Sequence, residues 1–170
     1  MAPYEADAQL AYLERIKYVD MVMTEDSDLL AYGCQTVLYK FENEGYLDEI
    51  NLKNLPNCRD FNFKGFSQDT FLIFCILCGC DYFKLERCGA KKAYSIACER
   101  REYKEIISFL KISNLNITES IERDFEMAFL TFKFQVVFCP LVKKYRYFSD
   151  IEETKYEAIS KYKDLSFLGK

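Results

Sequence analysis

A chain of 170 residues, half of them hydrophobic and 29% charged, can bury a sizeable core and is too apolar for wholesale disorder. Its longest apolar run, Phe71 to Cys80, is too short to span a bilayer and no secretory signal opens the chain, so no membrane partner is expected. The 27 acids outnumber the 23 bases for a net charge of −4, which taken alone argues against a nucleic-acid binder.

From the N-terminus, Pro3 suits a first helical turn, and Ala6, Leu10, Leu13 and Ile16 or Lys17 follow at helical spacing. The apolar run Tyr18 to Met23 reads as a buried strand that stops at Thr24-Glu25-Asp26-Ser27-Asp28. Leu29 to Tyr32 fits a short helix, Gly33 a turn, and Thr36 to Phe41 a second strand. This β–α–β order implies a parallel pair in an α/β sheet. Residues 43–66, rich in Asn, Lys and Asp and holding Pro56, read as an irregular connection. Ser67 is placed to cap a helix running to about Cys78, with Asp69 at its positive end, and Gly79 to Tyr82 breaks it. Two helices follow, over Ala90 to Arg100 and Glu102 to Leu110. Thr118 is placed to cap another, on which Ile121, Phe125, Phe129 and Phe132 form one apolar stripe, a core face rather than a ligand site. Gln135 to Phe138 reads as a strand before Pro140. The basic run Lys143 to Arg146 reads as a hairpin or loop surface, and Glu152 to Lys163 as a final helix.

Eight cysteines raise the question of disulfides or zinc. Cys75, Cys78 and Cys80 fall in or just after one apolar run, and Cys34, Cys88, Cys98 and Cys139 sit singly among apolar or helical residues. They read as reduced core side chains. The zinc alternative lacks paired C-x-x-C knuckles, and the chain has no histidine.

The chemistry, if any, lies in the acids. Glu5 with Asp7, Asp26 with Asp28, and Asp81 each stand at an element boundary, where a side chain can leave the core. Asp26 and Asp28 follow the carboxyl end of the first strand, where open α/β sheets bind ligands. Clustered oxygen ligands suit Mg²⁺ or Mn²⁺. Two such ions about 4 Å apart can activate water and stabilise the leaving oxygen of a phosphodiester. The competing reading is a set of ordinary solvated acids. Glu5 and Asp7 also point to nearly opposite sides of a regular helix, and meet only if Glu5 lies in an irregular first turn. A calcium loop does not fit, because counting from Asp26 puts Ala31 where that loop needs glycine.

Three segments argue together. Ala2-Pro3-Tyr4-Glu5-Ala6-Asp7-Ala8-Gln9 resembles the APxEAEAQ motif of the flap endonuclease and exonuclease 1 family of XPG-type 5′-nucleases. Thr24-Glu25-Asp26-Ser27-Asp28-Leu29-Leu30-Ala31-Tyr32-Gly33 is similar to its TEDxDxLxFG motif, and Leu77-Cys78-Gly79-Cys80-Asp81-Tyr82 to its LxGxDY motif. Thr131-Phe132 and Gln135-Val136-Val137-Phe138 are similar to its exonuclease 1 branch.

The resemblance implies an α/β fold: a partial parallel sheet with flanking helices over residues 1–82, half of a PIN-like core. A helix–two-turn–helix and a helical DNA-binding part are implied over residues 83–170. It carries the metal-binding and catalytic carboxylates onto Glu5, Asp7, Asp26, Asp28 and Asp81, which in the family hold two Mg²⁺, with Mn²⁺ able to substitute. It implies 5′→3′ hydrolysis of double-stranded DNA bearing a 5′ end or flap, in nuclear repair and recombination, with mismatch-repair proteins as candidate partners. Gly89, Lys91 and Lys92 are implied to meet DNA near a bound K⁺. Here, however, Leu85-Glu86-Arg87-Cys88-Gly89-Ala90-Lys91-Lys92-Ala93 lacks one residue and the first glycine of the family's turn. The first half of the family's core, with two further aspartates, does not precede Met1, so the segment is expected to need it for activity. The alternatives are a non-catalytic DNA-binding or scaffolding fragment and, among enzymes, a flap endonuclease.

Overall fold

Helix α1 (Ala6–Arg15) forms where expected but buries Ala8, Ala11 and Tyr12, while Ala6 of the expected apolar face is exposed and Leu10, Leu13 and Ile16 are only half-buried. Asp7 in its first turn and Arg15 in its last complement the helix dipole. The computed structural model describes residues 1–40, 45–112, 120–150, 159, 162 and 164–169. α1 stops through a left-handed residue, Lys17 (φ 59°). The Lys17 N–H donates to Glu14 O (3.0 Å) and the Tyr18 N–H to Leu13 O (2.9 Å), a Schellman closure made without glycine.

That closure consumes the start of the expected strand. Tyr18 belongs to the helix end and is exposed, so strand β1 is reduced to Val22–Met23. The chain continues through α2 (Asp28–Ala31) to β2 (Thr36–Tyr39), and β1 and β2 pair in parallel, Val22 with Val37 and Met23 with Leu38, as expected. The connection read as irregular instead holds strand β3 (Asp48–Asn51), antiparallel to β2, and a 3-10 turn over Leu52–Asn57. The sheet, ordered β1-β2-β3, is therefore mixed rather than purely parallel. β3 forms its outer edge and is largely exposed on both faces, so no apolar alternation marks it in the sequence.

Helix α3 (Gln68–Cys78) is capped as expected, the Thr70 N–H donating to Ser67 Oγ at 3.1 Å. Asp69 sits in its first turn and also pairs with Lys133 at 2.7 Å. Helices α4 (Ala90–Glu99), α5 (Tyr103–Ile112) and α6 (Ile121–Phe134) follow. On α6 the stripe Phe125, Phe129 and Phe132 is buried, but so are Ala128, Leu130 and Phe134, making it a central helix. The expected Thr118 cap lies outside the described residues, as does most of the expected helix from Glu152 to Lys163; Ile159 is buried. Strand β4 (Val136–Cys139) pairs antiparallel with β5 (Lys144–Tyr147), so the basic run is the exposed return arm of a hairpin.

The hairpin is strapped to α1 by side chains. Gln9 Nε2 donates to Phe138 O (3.0 Å) and the Phe138 N–H donates to Gln9 Oε1 (2.7 Å), closing the free edge of β4. Arg15 donates to Phe148 O at 3.1 Å and lies over the Phe148 ring. One apolar core joins these elements, from Ala8 and Val37 through Leu72 and Ile76 to Phe125 and Phe129.

All eight cysteines are free thiols. Cys34, Cys88 and Cys139 are buried, as expected. Cys78 is exposed: it is the last residue of α3 and lines an open cavity instead of the core.

Candidate functional site

Glu5 precedes α1 as its N-cap in extended backbone (φ −90°, ψ 147°). This resolves the objection from helical geometry, since Glu5 and Asp7 do not share one regular helix. Asp26 and Asp28 follow β1, whose ladder reaches Thr24 through Thr24 N–H to Leu38 O at 3.0 Å. The Asp26 N–H then donates to Thr24 Oγ1 (3.0 Å) and the Asp28 N–H to Asp26 Oδ1 (2.9 Å), an Asx turn that leads into α2. Asp81 sits in the tight turn between Cys80 and Phe83 that follows α3.

These three connections bring the five acids into one field. Burial, then the charges of Asp26, Asp81, Asp7 and Glu5, pushes the Asp28 carboxyl up to about 6. Burial, then Asp26, Glu5 and Asp81, raises Asp7 as well. Among the described residues, no three of these side chains close on a point as a finished metal cage. Like charges without a counter-ion favour such an open arrangement.

Behind the acids lie groups the motif reading did not single out. The Tyr82 hydroxyl donates to Glu5 Oε2, and Gln135 Nε2 donates to the same oxygen at 3.1 Å. Gln135 is fully buried, and its Oε1 has no partner among the described residues. The Tyr32 hydroxyl is buried without a partner, and burial followed by the charges of Glu5, Asp28 and Asp7 raises it far above the ordinary phenol range. Tyr32 and Tyr82 both rest on Phe132, with ring centroids at 4.8 and 5.4 Å. Tyr32, Tyr82 and Gln135 all stand inside the quoted segments, but nothing local to Gln135 signals that it serves Glu5.

The donor set is hard oxygen with an excess of negative charge, and an orphaned buried hydroxyl lies beside it. Those features fit a hydrated Mg²⁺ or Mn²⁺ and do not fit a softer metal, because no histidine or converging thiol set accompanies them.

Gly89 is the N-cap of α4, and Lys91 and Lys92 are exposed in that helix's first turn. Gly89 lines an open cavity of about 540 Å³ with Cys78, Asp81, Lys84, Arg87 and Cys88. Asp81 therefore belongs both to this cavity and to the acidic field. The left-handed residue of the turn is Arg87 (φ 56°), while Gly89 is extended with open space where a Cβ would lie. The turn closes without the missing glycine, and at Gly89 no steric need for glycine exists.

Residues 1–81 match the family described as the XPG I-region. Exonuclease 1 of Arabidopsis thaliana is 38% identical over 154 residues, covering 90% of this chain and 21% of that protein. Exodeoxyribonuclease 1 of Schizosaccharomyces pombe is 36% identical over 142 residues, covering 82% of this chain and 25% of that protein. The catalytic core of Rad2 in complex with a DNA substrate has a similar fold, with a TM-score of 0.60 at 20% identity over 77% of this chain and 48% of that one. Flap endonuclease-1 from Methanococcus jannaschii follows, with a TM-score of 0.51 at 24% identity over 73% and 37%. Residues 1–81 are thus similar to the XPG I-region, and over most of its length the chain is similar in sequence to exonuclease 1 proteins. It spans about a fifth of the length of the exonuclease 1 relatives from Arabidopsis and rice.

Proposed function

We propose that this chain supplies the carboxylate face of a Mg²⁺-dependent DNA nuclease that removes nucleotides in the 5′→3′ direction from double-stranded DNA with a 5′ end or flap. The observation that carries this reading is the gathering of five acids from three separate connections into one field, where burial and then the neighbouring charges push Asp28 up to about 6. Glu5, Asp7, Asp26, Asp28 and Asp81 would hold the metal, with Mn²⁺ able to replace Mg²⁺. When bound, the metal supplies an activated water and charge stabilisation at the leaving oxygen. The protein's own contribution is orientation. The Asx turn ties Asp26 to the backbone of Asp28, the extended Glu5 reaches Tyr82 and Gln135, and the Cys80–Phe83 turn presents Asp81.

In this reading residues 1–82 form the acidic unit, and residues 83–170 meet duplex DNA. Gly89, Lys91 and Lys92 at the start of α4 contact phosphate, since free N–H groups and two cations there attract an anion. A K⁺ ion at the turn before α4 and a helix–two-turn–helix arrangement belong to the same reading. So do a nuclear role in repair and mismatch-repair proteins as partners, which the family resemblance implies.

The test is twofold. Mn²⁺ should raise the melting temperature of the chain, and Asp26→Ala with Asp28→Ala should abolish that shift. End-labelled duplex with Mg²⁺ should then lose nucleotides from its 5′ end in the parent and not in the double variant. A metal shift without mutant-sensitive cleavage would turn the reading toward a DNA-binding segment that depends on further chain for hydrolysis. No metal shift would sink the site.

A further inference from the structure

We infer that Tyr82 and Gln135 are positioning residues that grip Glu5 by one oxygen and leave the other to face the metal. The inference rests on the reading of the acidic face as a metal site. Both donors converge on Glu5 Oε2, the Tyr82 hydroxyl and Gln135 Nε2 at 3.1 Å, and they stand 3.5 Å from each other. Oε1 of Glu5 receives no hydrogen bond among the described residues. A carboxylate held this way keeps one oxygen open in a fixed direction, which is what a ligand on an irregular first turn needs.

The grip is itself anchored. Gln135 caps the end of α6, with its N–H donating to Thr131 O (3.1 Å) and its carbonyl accepting from Phe148 N–H (2.9 Å). Its side chain therefore leaves a backbone tied on both sides. Tyr82 packs edge-on against Phe132, one turn earlier on the same helix. Tyr82 also directly follows Asp81, so its bond to Glu5 ties the third acidic connection to the first. The last turn of α6 thus fixes the spacing between Glu5 and Asp81, though it contributes no acid of its own to the site.

A role in packing alone would leave Gln135 poorly explained. Its Oε1 is buried without a partner, and an apolar side chain of the same length would avoid that penalty. The amide lies in a fully buried position where, among the described residues, its only polar contacts are Glu5 and Tyr82.

The experiment measures Mn²⁺ affinity by electron paramagnetic resonance on the full 170-residue chain, for the parent, Gln135→Met, Tyr82→Phe and Glu5→Gln, and for Gln135→Met in the Glu5→Gln background. Loss of either donor should weaken Mn²⁺ binding by roughly 10- to 100-fold. The metal-free melting temperature of Gln135→Met should stay level or rise, because an unsatisfied acceptor disappears. In the Glu5→Gln background, Gln135→Met should weaken binding no further, since the amide acts only through Glu5. Unchanged affinity in both single variants overturns the inference while leaving the metal site standing. An equal loss with and without Glu5 also overturns it, by assigning Gln135 a general structural role. A parent that takes up no Mn²⁺ overturns the metal reading itself, and this inference with it.

Discussion

The acidic face and the outer sheet are built on opposite terms. At the acidic face, polar groups are tied down: Glu5 by two donors, the Asp26 carboxylate by the Asp28 N–H, and both tyrosines by packing on Phe132. At the sheet, apolar groups are left outside. Val22 and Val37 are 3% and 0% exposed on the covered face, yet Met23, one residue along β1, is 56% exposed on the other, and Met21 and Ile50 are also exposed. Parallel pairs are normally covered on both faces. The difference teaches that order in this molecule follows the site rather than the sheet, with hydrogen bonds and rings concentrated where the charges must be held.

The sharpest way to break that contrast is Phe132→Ala, which removes the ring under Tyr32 and Tyr82. Denaturant unfolding should show a loss of about 3–5 kcal/mol. The same change on the sheet's open face should do almost nothing to the fold.

A second effect comes from charge. Asp28 has a folded pKa of about 6 against an ordinary 3.8, so between those values the folded chain holds a proton that the unfolded chain has released. Stability from this group is therefore greatest below about 3.8 and is lost as pH rises toward 6. With a chelator present, the melting temperature of Asp28→Asn should exceed that of the parent at pH 7, and the gap should close as the pH is lowered. A parent with no such pH-dependent gap would mean that the acids are better solvated than their burial implies.

The smallest effect should be Met23→Lys. A substitution on an open, unpaired face falls within about 0.5 kcal/mol of the parent by denaturant unfolding, while self-association at high concentration should fall. A large destabilisation would show that Met23 is packed after all.

Much of the site was legible because its acids fall at boundaries that composition marks: the proline before α1, the abrupt end of the apolar run, and the glycine after α3. Ser67 and the α6 stripe were legible for similarly local reasons. What was hidden lies where the local signal is missing or the partner is remote. Lys17 closes α1 in a left-handed conformation without the glycine that would have announced it, so Tyr18 was read into a strand. β3 has no buried face and hence no alternation. Cys78 looked like core because its neighbours are, yet the end of α3 turns it to a cavity. Gln135 serves a carboxylate 130 positions away, a relation no short window contains.

That separation has a consequence during synthesis. Gln9 meets Phe138, Arg15 meets Phe148 and Glu5 meets Gln135, each across roughly 130 residues of chain. The first helix leaves the ribosome long before its partners exist. At about 5–20 residues per second it waits on the order of ten seconds with its polar side chains unmatched. Closing such long loops is slow in any case. The acidic face is thus among the last parts of the molecule to take shape, and a nascent chain carries its five acids well before their surroundings have formed.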